Sequence, residues 1–290
     1  MTAAGVRSQP LDGDVDGTDV DGTDVDGTDV DRTDNDQTAL TTYVLGLGDD
    51  ALILAQRLGE WITRAPQIEE DIALGNIALD LLGQARTLLS YAGEVEGTVT
   101  GTSRDEDDLA FLRDEREFRN VHLVEIENGD FAVTMARQLI FSSYQFELYT
   151  ALLSSPDPTL SALAAKAVKE VAYHRDHATQ WVLRLGDGTP ESHDRMQAAL
   201  DRVWPYVDEI FDTADTADIL TALPGIAADP AALRPAWSLF VENVITTATL
   251  SVPTPTWRSR GGRTGYHSEN LGHLLPDMQN LHRSHPGASW

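Results

Sequence analysis

The stretch KEVAYHRDH, Lys169 to His177, holds the residues best suited to chemistry in this chain. Read as a helix, it places Glu170, His174 and His177 on one face, at steps of four and three. Carboxylate and imidazole on one face of a bundle helix are the ligands of di-iron carboxylate sites. Such a site takes one Glu from each of two helices and a Glu-x-x-His from each of two others. Glu60 and Glu147 are the candidate single carboxylates. Glu60 is flanked by Arg57 and Arg64, which suits an ion pair on a helix surface. Glu147 stands among Tyr144, Phe146, Leu148 and Tyr149, and is expected to point inward. The helix that should carry the other Glu-x-x-His has no histidine: Leu74 and Gly83 stand three places after Asp71 and Asp80. Three places after Glu170 comes Tyr173, and His174 is one position late, a rotation of about 100°. One histidine-bearing half is therefore missing and the other is out of register. The expectation is that no metal is held by this chain, and that Glu60, Glu147 and Glu170 are paired with Arg or Lys. The alternative is a self-sufficient di-iron oxygenase or oxidase using Glu60, Glu147, Glu170 and His174.

Other chemistry is sparse. There is no cysteine, so thiolate metal sites and cysteine nucleophiles are excluded. No nucleophile elbow, Walker loop or dinucleotide fingerprint is present. GDGT at 186–189 reads as a helix stop and turn. His267, His273, His282 and His285 match no ligand spacing and are expected at a surface or interface. The net charge is -26, with 47 acidic residues against 21 basic, which excludes a phosphate-binding footprint for nucleic acid. Only Lys166 and Lys169 are lysines, a balance that suits a salt-rich cytoplasm where self-repulsion is screened. No leader-like run and no apolar stretch of about 18 residues is evident, so a cytoplasmic location off the membrane is expected.

The elements that must position these residues are helical. Residues 1–40 carry the five-residue repeat VDGTDVDGTDVDGTDVDRTD and hold eleven Asp and two Arg. Such a segment is expected to be a disordered acidic tail, since a valine every fifth position buries little. Residues 41–290 form the helical domain. Asp49 or Asp50 is expected to cap a first helix carrying Leu54, Leu58, Trp61 and Ala65 on one stripe. Pro66 and the acids Glu69, Glu70 and Asp71 open a second, expected to stop at Gly93 before a loop. A short helix is expected over Leu109–Arg119, and a turn at Asn128-Gly129-Asp130. Long helices follow from Phe131 to the prolines at 156 and 158, and from Thr159 to Gly186. Thr189-Pro190-Glu191 starts another that Pro205 bends, and residues 230–249 and 268–283 give the last two. No segment alternates like a strand. The class is all-α: a four-helix bundle with additional C-terminal helices.

Four stretches carry a family resemblance: GEWITRAPQIEEDIALGNIALDLLGQARTLLSYAG, DDLAFLRDEREFRNVHLVEIENGDFAVTMARQLIFSSYQFELYTALL, KEVAYHRDHATQWVLRLGDGTPESHDRMQAALDRVWPYVDEIF and GRTGYHSENLGHLLPDMQNLHRSHPGASW. Over about residues 43–290 the chain resembles the PaaC family, the C subunits of the phenylacetyl-CoA 1,2-epoxidase (ring-1,2-phenylacetyl-CoA monooxygenase) complex. The resemblance implies a ferritin-like fold and a non-catalytic, structural subunit in aerobic phenylacetate breakdown. It implies that the di-iron centre lies in a catalytic A subunit, with no cofactor in this chain. A small assembly subunit and a flavin and iron–sulfur reductase complete such a complex, which uses O₂ and NADPH to form an epoxide on the ring of phenylacetyl-CoA. Glu60, Glu147, Glu170, His174 and His177 then read as vestiges of a metal site. Arg258, Arg260 and Arg263 in WRSRGGRTGYH are the densest positive cluster. They are expected either to steer the phosphates of the acyl-CoA or to pair with acids of the partner.

Overall fold

A computed structural model describes the backbone of residues 27–288, with side chains placed from residue 33. Nine α-helices and no strand occur among the described residues. α1 (Gly27–Gly59) and α2 (Ile68–Thr100) form one long hairpin, and α4 (Phe131–Leu152) and α5 (Pro158–Gly186) a second. The one-turn helix α3 (His122–Glu125) lies between them. The hairpins meet along α2 and α5, closing a four-helix bundle around Ile53, Leu58, Ile77, Leu81, Leu139 and Val171. α6 (Pro190–Val203) and α8 (Pro230–Thr247) pack on α4 and α5, and α7 (Ala217–Ala222) packs on α1. α9 (Glu269–Ser284) returns to the segment between α2 and α4.

Several helix starts lie where side chains can cap them. Asp130 accepts from the Val133 N–H (3.0 Å) to open α4, and Asp157 from Thr159 and Leu160 ahead of Pro158 to open α5. Thr189 caps α6 and Ser268 caps α9. Pro205 bends the chain through a 3₁₀ turn, Trp204–Tyr206.

Four expectations are corrected. α1 begins at Gly27, so the end of the expected tail, from residue 27 to residue 40, is helical; the rest of the repeat lies outside the described residues. Burial of Leu40 and Val44 against the bundle favours helix over this stretch, within which Thr38, Thr41 and Thr42 each bond a carbonyl four residues back. Asp49 and Asp50 are therefore no caps; they sit inside α1, 0 % and 2 % exposed. α2 does not stop at Gly93. It runs to Thr100 and ends at Gly101 in the left-handed region, φ 74°. Gly93 serves a close approach: a Cβ there would collide with the Arg104 carbonyl oxygen. Finally, Leu109–Arg119 is no continuous helix. A π-turn over Asp108–Leu112 and a 3₁₀ turn over Glu115–Glu117 flank an extended Arg113, whose side chain plunges inward. In addition, Thr33–Gly59 is long and apolar enough to cross a membrane by length and composition. Its most apolar 18 residues are 67 % buried within the protein, where α2 covers them.

Candidate functional site

Glu170, His174 and His177 do share a face of α5, and that face meets α2. Gln84 donates to Glu170 (Nε2 to Oε2, 3.0 Å) and accepts from the Tyr149 hydroxyl (3.0 Å). Lys166 Nζ lies 3.4 Å from Glu170. His174 Nε2 meets Asp80 Oδ2 at 3.0 Å, and His177 Nε2 meets Glu70 Oε2 at 2.8 Å. Trp181 Nε1 donates to the same Glu70 oxygen, also at 2.8 Å. The seam is thus a polar ladder between antiparallel helices. Burial lowers the pKa of His174 from its ordinary 6.5, and this outweighs the raising effect of Asp80. Burial thus favours the neutral ring, and in the tautomer with its proton on Nε2 the ring donates to the carboxylate.

The other candidates are elsewhere. Glu60, just past the end of α1, takes a hydrogen bond from Arg57 (2.7 Å) and another from Asn128 (3.0 Å). Glu147 is 3.7 Å from Arg175, whose guanidinium lies 3.6 Å over the Phe146 ring. All three glutamates thus pair with Arg or Lys. Among the described residues, no group of three or more His, Asp or Glu is placed to hold a metal ion. The donor set does not fit a di-iron centre: the partner of Glu170 across the seam is a neutral carboxamide, and each histidine has a different carboxylate. Sequence reasoning missed Gln84, and it read Glu70 only as an acid of a first helical turn. Their signal was their place on the inward stripe of α2 with Leu74, Ile77 and Leu81.

A second polar cluster, at the other side of α1, corrects the reading of the arginines and histidines near the C-terminus. Arg263 is not part of an exposed basic cluster. Its guanidinium reaches Asp50 (2.6 Å) and the carbonyls of Gly46 and Arg119. Burial pushes the Asp50 carboxyl up to about 6, against the pull of Arg263. Asp49 pairs with the buried Arg113 and accepts from the Arg119 N–H. Arg258 pairs with Asp208, which also holds Arg234. Arg260 alone of the three is exposed and without a partner among the described residues. The His267 side chain is buried, not superficial: its Nδ1 meets Glu125 Oε2 at 2.9 Å and its Nε2 the Phe118 carbonyl at 3.0 Å. Glu209 gathers His122 Nδ1 (2.7 Å), Ser259 Oγ (2.8 Å) and the Gly262 N–H (3.0 Å). Burial works against the charged forms of both His122 and Glu209. Their mutual contact prevails, raising the histidine and lowering the carboxyl. These ionisable groups fasten the C-terminal segment to α1 and α3.

A family model described as phenylacetic acid catabolic protein matches residues 25–290. The chain belongs to that family. Its ferritin-like, all-helical fold is the bundle described above. The chain is also 49 % identical over 251 residues to the C subunit of the 1,2-phenylacetyl-CoA epoxidase of Escherichia coli (strain K12), a match that spans 87 % of this chain and 99 % of that relative. In this member of the phenylacetic acid catabolic family, Glu60, Glu147, Glu170, His174 and His177 are engaged in internal hydrogen bonds and ion pairs.

Proposed function

We propose that this chain is the structural, non-catalytic subunit of a phenylacetyl-CoA epoxidase, paired with a separate di-iron catalytic subunit in phenylacetate breakdown. The observation that carries this reading is the α2–α5 seam. Glu170 bonds the carboxamide of Gln84, while His174 and His177 face two separate carboxylates, Asp80 and Glu70, so these side chains do not converge on one point where an ion could be shared. The 49 % identity to the C subunit of an epoxidase supports the same reading. In it, the oxygen chemistry belongs to the catalytic subunit, a small subunit assists assembly, and a flavin and iron–sulfur reductase delivers electrons from NADPH. This chain contributes a rigid bundle against which the catalytic helices are held in position.

The test has two parts. The purified chain, expressed with ample iron, is analysed for metal; near-zero iron per chain is expected. The chain is then combined with the catalytic subunit, the small subunit and the reductase, and phenylacetyl-CoA turnover is followed with O₂ and NADPH. Activity should require this chain and survive His174→Gln. About two irons in the isolated chain, lost in Glu170→Gln, would restore the self-sufficient oxygenase.

A further inference from the structure

α2 carries two apolar stripes. The inward one, with Leu74, Ile77, Leu81 and Leu88, is buried in the core. The outward one runs Ile68, Ile72, Gly75, Leu79, Leu82, at alternating steps of four and three, the spacing of a coiled-coil seam. Ile68 is 70 % exposed, Ile72 59 %, Leu79 66 % and Leu82 46 %. With Ile62 they make five of the fourteen large apolar side chains exposed among the described residues, gathered on one face. Beside them a groove of about 630 Å³ opens between α1 and α2, with Leu52, Ala55 and Gly59 as its other wall.

Two further observations say what kind of molecule lies there. Gly75 and Gly83 fall on or beside the stripe, and a Cβ at either would meet nothing within 4 Å. A glycine inside a helix is less stable than an alanine, and among the described residues no packing contact at either position offsets that. Bare backbone on an otherwise apolar seam suits the close approach of another helix. The second observation is charge. Asp71 lines the groove, the exposed Glu69 stands in the first turn of the same helix, and the whole chain carries -26. Two copies placed face to face would oppose like charges, whereas a partner with a basic rim is attracted.

We infer that the outward face of α2 is the docking surface for a helix of a different subunit, one whose apolar seam is bordered by Lys and Arg. This rests on the assembly reading above, and takes that subunit to be the catalytic one. The test is a titration of the full chain with the catalytic subunit, using Leu79→Asp and the double variant Gly75→Ala/Gly83→Ala. Leu79→Asp should weaken association at least about tenfold while leaving the isolated chain's melting temperature unchanged. The glycine double variant should melt about 2 °C higher or more on its own and yet bind more weakly, because the new methyl groups hold the partner helix off. Binding by both variants as tight as that of the unmodified chain overturns the docking face alone. A homodimer of the isolated chain that Leu79→Asp dissolves overturns it as well, by naming a second copy as the occupant. An unmodified chain that fails to bind the catalytic subunit overturns the assembly reading, and this inference with it.

Discussion

Replacing Arg263 by methionine keeps most of its apolar volume and strands Asp50, 3 % exposed at its side chain, without its cation. Breaking a buried pair from one side costs about 3–5 kcal/mol, so urea unfolding of Arg263→Met should show a loss of that size. Arg260→Ala should change stability by less than about 0.5 kcal/mol; equal losses for the two would show that Asp50 does not depend on Arg263. Two histidines should titrate with opposite signs. The pKa of His122 is raised, so its contribution is fully present below about 6.5 and is lost as pH rises through its folded value. The pKa of His174 is lowered, so the unfolded chain takes the proton first and stability falls as pH drops below about 6.5. His122→Gln should therefore cost more at about pH 6 than at about pH 9, and His174→Gln less at about pH 5 than at about pH 8. Proton NMR of the two rings checks the same signs directly, with midpoints above and below 6.5. At this scale the sequence showed which residues were unusual better than what each one does. The pairing of Glu60 with Arg57 is local, three residues apart, and was legible. That of Arg263 with Asp50 spans 213 positions and was not, because no local pattern encodes it.

Helix boundaries were legible where a side chain makes them. Asp130, Pro158, Thr189 and Ser268 each announce a start by chemistry confined to one turn. The end of α2 was not, because glycine has two uses that look alike in a sequence. One is the left-handed cap, realised at Gly101; the other is close packing, realised at Gly93 against the Arg104 carbonyl. Gly93→Ala should therefore destabilise the protein by about 1–3 kcal/mol. A melting temperature equal to that of the unmodified chain would show that the 101–107 segment yields without cost. The short expected helix after α2 failed for a related reason. Its helical period is real, but the ion pair of Arg113 with Asp49 favours an extended residue in its middle.

Across the whole molecule, a charge of -26 repels itself, and salt shortens the reach of that repulsion from about 10 Å at 0.1 M to about 3 Å at 1 M. The melting temperature should rise steadily with sodium chloride over that range. A flat or falling curve would mean that the exposed ion pairs, such as Arg195 with Glu191, outweigh the net repulsion. The buried acids of the interior also bear on how the chain is made. Asp49 and Asp50 sit side by side in the first helix, and their cations come from Arg113 and Arg263. On a ribosome adding 5–20 residues per second, about ten seconds or more separate Asp50 from Arg263. Through that interval Asp50 has no cation, so seating α1 in its final place carries the cost of burying that acid unpaired. The last part of the chain is thus a latch on the first helix, and a chain cut short before residue 263 should be less stable by at least the cost of leaving Asp50 unpaired.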